Sequence, residues 1–176
     1  MKISTKTMVT IGMFTAVLSV LSILMIPMPS GVPITLQTFA MALCGYVLGW
    51  KKGVSVTFIY ILLGSVGVPV FAGMTGGVSR LFSYTGGFIW GFIFLVICCG
   101  LSIKQKNIIA RIFLGSVGLV ICHLIGVVQF SIVAETEVAV AFMTVSLPYL
   151  IKDIISMIGA YAVAVPIRKS LAVQNS

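Results

Sequence analysis

The stretch MALCGYVLGWKKGVSVTFIYILLGSV, residues 41–66, sets the lysine pair Lys51 and Lys52 between two apolar runs. Neither run contains a charged residue, whereas the two lysines need water. A membrane surface satisfies both requirements, because apolar helices lie in the hydrocarbon and charged residues lie at its edge. The stretch therefore predicts two membrane helices, at residues 35–50 and 53–66, that meet at the lysines.

The rest of the chain has the same character. Of its 176 residues, 60% are hydrophobic, and only 11 basic and 3 acidic residues carry charge. A soluble domain has roughly a quarter of its residues charged, and a disordered chain has low hydrophobicity, so both classes are excluded. The composition predicts one all-α integral membrane domain over residues 1–176, with the lipid bilayer as its main surroundings.

Basic residues indicate how the chain crosses the membrane. The intervals between successive basic clusters are about 45 to 60 residues, enough for an out-and-back pair of helices at about 20 residues per span. The positive-inside rule then makes the clusters cytoplasmic. We predict six transmembrane helices with both termini cytoplasmic, in a multi-pass protein of the cell membrane, and we attribute the net charge of +8 to this topology rather than to nucleic-acid binding. The clusters are Lys2 and Lys6; Lys51 and Lys52; Lys104, Lys106 and Arg111; Arg168 and Lys169.

The apolar runs give approximate helix bounds. A loop with three prolines at residues 27–33 and a glycine-rich segment at residues 67–86 are predicted on the external side. The second segment contains too many apolar residues for a loop lying free in water, which favours a site wall over a flexible loop. The stretch Val138–Val145 is too short to span the membrane. The six predicted helices cover residues 6–26, 35–50, 53–66, 87–103, 108–132 and 148–167.

The cysteines do not indicate a metal site. All four lie inside apolar runs, with no CxxC motif, and adjacent residues on a helix point apart, whereas metal ligands must converge. We expect buried thiols, no metal and no cofactor. The residues are Cys44, Cys98, Cys99 and Cys122.

Asp153 is the one acidic residue within a predicted span. It follows Pro148 by five residues, which sets it about 7 to 8 Å along the helix from the external end. An intramembrane carboxylate is expected to face the bundle interior with a partner; a structural ion pair or a favourable charge near a helix N-terminus is the alternative. Lys152 is about 100° around the helix and is expected to be a poor direct partner that extends outward.

Several other polar residues are predicted at the same external end. Arg80 could hold a carboxylate or could simply be solvated. Gln37, Tyr84 and Tyr149 add polar groups at a similar level, which favours an outward-facing pocket for a small polar ligand over a purely structural bundle. His123 either reaches the pocket floor or is a locally bonded core histidine.

Small residues also mark one face of the first helix. Gly12 and Ala16 have the small-xxx-small spacing that lets another helix approach closely. The neighbouring helix could belong to this chain or to a partner subunit, and the sequence leaves both open.

The chain resembles the BioY family, the biotin-specific substrate-binding (S) components of energy-coupling factor (ECF) transporters. A leucine–proline pair before the helix with Asp153 is similar to the last motif of the family. Relatives commonly carry a lysine one turn after that aspartate, where this chain has Ser156. The remaining matching motifs are PITLQTF (33–39), LGSVGVPVFA (63–72), GG (76–77), YTGGF (84–88) and GF (91–92).

The resemblance implies biotin uptake by an ECF S-component-like bundle. Asp153 would accept from the ureido N–H groups of biotin, and Phe71, Tyr84 and Phe88 would cover its rings. Because of Ser156, the tail carboxylate would be met by Arg80 or Lys152, or by hydroxyls and water. The implied partners are a transmembrane coupling subunit, docked at Gly12 and Ala16, and two cytoplasmic ATPase subunits. The complete set of expected ligand-binding residues is Asp153, Arg80, Gln37, Tyr84, Thr85, Gly86, Phe71, Phe88, Ser156 and Lys152.

Other functions are open to test. The chain could be an S component for another water-soluble vitamin or small carboxylate. An integral membrane enzyme is disfavoured, because three acids and one histidine provide little acid–base machinery and no HExxH or phosphate-binding loop is present. A structural subunit would not explain the polar residues at one external end.

Overall fold

The protein is almost entirely helical. The structure, a computed structural model, describes residues 4–173, with side chains for residues 4–170, so Lys2 of the first basic cluster lies outside it. The elements in chain order are α1 (Thr5–Ile23), β1 (Met25–Ile26), β2 (Ile34–Thr35), α2 (Gln37–Ser65), a 3-10 helix (Val78–Phe82), α3 (Gly86–Ser102), α4 (Ile108–Val133), α5 (Val138–Val145) and α6 (Leu147–Val173).

Four of the described helices, α1, α2, α4 and α6, are long and apolar enough to cross a membrane, and α3 is a shorter apolar helix of 17 residues. These helices define a multi-pass membrane protein. The count of six spans remains a prediction. It depends on α2, which is not one straight helix.

α2 folds back on itself at Gly49, where φ is 77° and ψ is 171°. The Gln37 side-chain amide donates to the Tyr60 hydroxyl at 2.7 Å. In a straight helix these two residues would be about 35 Å apart at 1.5 Å per residue, so the two arms of α2 run antiparallel. The reversal agrees with the two helices expected around the lysine pair. It lies at Gly49, just before Lys51, because glycine adopts a positive φ at no steric cost.

Two helix ends differ from the predicted bounds by three residues or more. α1 ends at Ile23 rather than at residue 26, because Met25 and Ile26 pair in an antiparallel ladder with Thr35 and Ile34. α6 continues to Val173, beyond the expected end at residue 167.

Glycines let the central helices pack closely. A Cβ atom on Gly45 would lie 2.8 Å from the Val96 carbonyl oxygen, and one on Gly91 would lie 2.7 Å from the Cys122 Cα. Such short approaches tolerate only a hydrogen in place of a side chain. α3 therefore packs tightly between the first arm of α2 and α4.

Basic residues from two of the clusters, Arg111 and Arg168, lie at one end of the bundle. The Arg168 Nη1 group donates to the Tyr46 carbonyl at 3.1 Å, and the Arg111 Nη1 group donates to the Tyr161 hydroxyl at 3.0 Å. The rings of Tyr46 and Tyr161 are in edge contact, with centroids 5.3 Å apart. These contacts join α2, α4 and α6 at the basic end and leave the start of α6, with Asp153, at the other end.

Candidate functional site

A cavity of about 290 Å³ opens at the end of the bundle opposite the basic clusters. Its volume is close to the lower limit for small-molecule pockets, about 300 Å³. The β1–β2 region, residues 71–85 and the starts of α2, α3 and α6 contribute to it. Its lining is Met25, Pro27, Met28, Gly31, Val32, Pro33, Thr35, Gln37, Thr38, Phe71, Ala72, Thr75, Arg80, Thr85, Phe88, Ile89, Phe92, Val145, Tyr149, Lys152 and Asp153.

The cavity brings together most of the side chains expected at a site from the sequence. Each of these side chains carries either a polar group or an aromatic ring. They are Asp153, Arg80, Gln37, Thr85, Phe71, Phe88 and Lys152.

Three expected residues lie outside the lining. Tyr84 is 45% exposed and packs its ring on Phe130, with centroids 5.5 Å apart. Gly86 is buried against the backbone of Leu81, where a Cβ atom would overlap the carbonyl. Ser156 is half-buried on α6 and does not reach the cavity. The motif at residues 84–88 thus contributes to the cavity lining through Thr85 and Phe88.

Asp153 is held by a buried chain of polar groups. Its Oδ2 atom lies 3.3 Å from His123 Nε2, and His123 Nδ1 lies 2.9 Å from the Ser146 hydroxyl. All three residues are buried. His123 is therefore a locally bonded histidine outside the cavity lining, and it fixes the position of the carboxylate that lines the cavity.

Lys152 contacts Asp153 directly, so the expectation that it would be a poor partner is wrong. Its Nζ atom is paired with Asp153 Oδ1 and also donates to the Thr35 carbonyl at 3.3 Å. The flexible four-carbon stem lets an ammonium group curl back across the helix surface, which the 100° separation of the Cα positions does not prevent. The ion pair lies in the cavity lining.

Gln37 is oriented by two hydroxyls. Its amide nitrogen donates to Tyr60, and its carbonyl oxygen accepts from the Thr35 hydroxyl at 3.3 Å. Because Gln37 is buried, these bonds fix which way its amide presents to the cavity.

Two aromatic rings, Phe71 and Phe88, form parts of the apolar wall. Phe71 is in edge contact with Tyr60, with centroids 5.5 Å apart, and its ring lies so close to Gly64 that a side chain there would overlap it. Phe88 is in edge contact with His123, with centroids 5.7 Å apart. Gly64 thus lets the Phe71 ring pack closely where it lines the cavity.

The loops over the cavity are tied down by hydrogen bonds. The Tyr149 hydroxyl donates to the Val32 carbonyl at 2.5 Å and lies 2.7 Å from the Ser30 hydroxyl. The Gly73 amide donates to the Ile23 carbonyl at 3.2 Å. We call residues 25–35 and 67–85 together the roof. The Tyr149–Val32 bond ties the first loop of the roof, residues 25–35, to α6. The Gly73–Ile23 bond joins its second loop, residues 67–85, to the end of α1.

Gln129 on α4 anchors the second loop further. Its side-chain amide donates to the Leu81 carbonyl at 2.8 Å and to the Ser83 carbonyl at 3.0 Å. Gln129 therefore supports the roof, although it is not in the cavity lining.

Arg80 lies in the 3-10 helix and is exposed at the cavity. Among the residues whose side chains are described, its guanidinium has no hydrogen-bond or ion-pair partner. It is thus a cation that a ligand could meet.

Sequence reasoning missed several polar lining residues, including Thr35, Thr38 and Thr75. Thr35 and Thr38 flank Gln37 in the PITLQTF motif, and this proximity was a signal that could have found them. Tyr149 was recognised as a polar group at this end, and it both lines the cavity and ties down the roof.

The cysteines do not form a metal site within residues 4–170. All four are free thiols, with Cys44, Cys99 and Cys122 buried and Cys98 half-buried. No group of three or more potential metal ligands occurs in the described part of the chain.

The small-residue strip of α1 faces away from the bundle. Gly12 and Ala16 are both exposed, and a Cβ atom on Gly12 would meet nothing within 4 Å. The buried positions of α1 are instead Thr15, Leu18, Ser19 and Ser22. Intrachain packing therefore does not explain the strip.

A membrane bundle with a polar and aromatic cavity at one end is suited to binding a small molecule. A solved structure described as the S-component for biotin from an ECF-type ABC transporter has the same fold, with a TM-score of 0.83 and 22% identity, over 97% of this chain and 95% of that one.

Sequence comparison identifies the family. The model of the BioY family matches residues 1–173, and the chain belongs to this family. The biotin transporter BioY of Thermotoga maritima is 35% identical over 90% of this chain and 93% of its own length. The biotin transporter BioY2 of Lactococcus lactis subsp. cremoris is 35% identical over 89% of this chain and 86% of its own length. These relatives are transporters rather than enzymes.

Proposed function

We propose that this chain is the biotin-binding component of an ECF transporter in the cell membrane and captures biotin in the roofed cavity. The observation that carries the proposal is the Asp153–Lys152 pair, fixed by His123, beside two aromatic rings. A buried carboxylate and a cation in an apolar cavity are suited to a small ligand with both N–H donors and a carboxylate.

The chemistry of biotin matches this set of groups. Asp153 and the oriented amide of Gln37 would meet the ureido ring, which has two N–H donors and one carbonyl. Phe71 and Phe88 would pack on the sulfur-containing ring. The carboxylate of the tail would pair with Lys152 or Arg80, since Ser156 stands where relatives carry a lysine.

ATP-driven delivery inward would require partners, because the chain has no phosphate-binding loop for ATP. The proposed partners are a transmembrane coupling subunit and two cytoplasmic ATPase subunits. The exposed strip of Gly12 and Ala16 on α1 is the proposed docking surface for the coupling subunit, because small residues permit close helix approach.

Thermal unfolding of the purified protein in detergent, across a panel of water-soluble vitamins, tests the ligand. A ligand at 100 times its dissociation constant adds about 2.7 kcal/mol to the free energy of unfolding. We expect biotin to raise the unfolding midpoint and the other vitamins to leave it unchanged. A response to another vitamin, with none to biotin, would overturn the assignment.

Arg80→Ala tests one of the two candidate cations. If Arg80 meets the tail carboxylate, this variant should bind biotin more weakly than the unmodified protein in the same detergent. Unchanged affinity would exclude the arginine and leave Lys152, or hydroxyls and water, to meet the carboxylate.

A further inference from the structure

We propose that Lys152 exchanges partners during binding: it holds the Asp153 carboxylate in the empty cavity and moves to the carboxylate of the ligand in the loaded one. Lys152 would then determine specificity, by making Asp153 available mainly to ligands that bring an anionic group of their own. This inference rests on the proposed function and concerns the same cavity.

The two oxygens of Asp153 have different partners. Oδ2 faces His123, which is fixed from its other side by Ser146. Oδ1 is buried and makes no well-aligned hydrogen bond within the described residues, so its contact is the ion pair with Lys152. The second oxygen is therefore the acceptor that a ligand N–H group can take, provided that the lysine moves.

Lys152 is the mobile member of the pair. Its side chain is 28% exposed, against 8% for Asp153, so an incoming ligand meets the ammonium before the carboxylate. Its other contact is a single bond to the Thr35 carbonyl at 3.3 Å. A flexible stem held by one long hydrogen bond and one ion pair can swing within the cavity, whereas the carboxylate beside His123 cannot.

Charge balance makes the exchange selective. A neutral ligand that takes Asp153 Oδ1 leaves the lysine without its anion, and an unpaired charge in an apolar site is strongly unfavourable. A ligand with a carboxylate supplies a replacement anion. In addition, the lysine competes with any ligand for Asp153, so the apparent affinity is reduced by the fraction of molecules in which the pair is closed.

The test compares biotin with biotinamide, in which a neutral carboxamide replaces the tail carboxylate. Affinities are measured by isothermal titration calorimetry on the full-length protein in detergent. The unmodified protein should bind biotin at least tenfold more tightly than biotinamide. Equal affinity for the two ligands would overturn the proposed exchange, and this comparison needs no variant.

Lys152→Met then gives opposite effects for the two ligands. We expect at least a tenfold loss of affinity for biotin and at least a threefold gain for biotinamide, because the competitor for Asp153 is gone. Equal losses for both ligands, or no change for either, would overturn the exchange and leave the lysine with a structural role.

Two control variants isolate the effect of Lys152. Lys169→Met makes the same change near the far end of α6 and should alter neither affinity. Arg80→Gln should give no gain in affinity for biotinamide; a gain would contradict the assignment of the exchange to Lys152. Failure of the unmodified protein to bind biotin at all would instead refute the proposed function.

Discussion

Asp153 depends on neighbours that come from different parts of the sequence. A carboxylate within a membrane span is unfavourable, by about 3 kcal/mol at the bilayer centre and by less toward the surface, and in this protein His123 and Lys152 both reduce that cost. Removing one partner of a buried pair destabilises a protein by about 3–5 kcal/mol, because the other charge is left uncompensated. The aspartate, histidine and lysine should therefore behave as one unit.

Asp153→Asn removes the charged acceptor from the cavity. We expect biotin affinity to fall about 10- to 100-fold, since a hydrogen bond to a charged group is worth about 1.5–3 kcal/mol. Calorimetric titration of the purified protein measures the change. Glu135→Gln neutralises an exposed acid on a loop and should leave the affinity as it was; an unchanged affinity in the Asp153 variant would remove the carboxylate from the site.

At the scale of elements, the apolar runs and basic pairs predicted where helices form, because these features follow from solvation alone. They did not predict the position of the reversal at Gly49, which depends on one residue that accepts a positive φ. Nor did they predict that Tyr84 packs on Phe130 while Thr38 and Thr75 line the cavity. In irregular segments, tertiary contacts decide where side chains point, and no sequence periodicity records them.

The close packing of α3 against α4 should be sensitive to one methyl group. Gly91→Ala sets a Cβ atom 2.7 Å from the Cys122 Cα, and we expect overpacking to destabilise the protein by about 1–3 kcal/mol. At Gly159 the nearest atom would be 3.9 Å away, so Gly159→Ala should be neutral or stabilising, by up to about 1 kcal/mol. The unfolding midpoints in detergent compare the two; a similar effect at both positions would contradict the packing argument.

The bond from Tyr149 to Val32 should slow the escape of the ligand. Tyr149→Phe removes this bond, worth about 1 kcal/mol, and we expect biotin to dissociate about fivefold faster. Chase of bound radiolabelled biotin measures the rate. Ser30→Ala removes a hydroxyl partner of Tyr149 outside the cavity lining and should have a smaller effect in the same direction.

The control for the tyrosine variant is Tyr161→Phe, which removes a hydroxyl at the basic end of the same helix. Its dissociation rate should match that of the unmodified protein. If Tyr149→Phe also leaves the rate unchanged, the roof does not control escape through this contact.

The cavity, the basic residues and the small-residue strip of α1 lie in three different parts of the molecule. The cavity lies at one end of α6, and the contacts of Arg111 and Arg168 lie toward the other. The strip on α1 is lateral, away from both. Binding and docking should therefore be separable by mutation.

Gly12→Leu tests that separation. The added side chain extends into open space within this chain, so we expect biotin affinity and the unfolding midpoint to stay unchanged. Uptake of biotin by cells should fall to background if the proposed coupling subunit docks at this strip, because a bulky residue would prevent close helix approach. Val9→Leu, a change at an exposed position one turn away, is the control; loss of binding in the glycine variant would mean that the strip packs internally.

The bond between the Gly73 amide and the Ile23 carbonyl has a kinetic consequence. It joins the second loop of the roof to Ile23, two residues before β1, so the two loops should open in one cooperative event. Amide hydrogens in both loops should then exchange with deuterium at a shared rate, and bound biotin should slow both by the same factor. Entry and exit of the ligand would be governed by one opening frequency, rather than by two loops that act as independent gates.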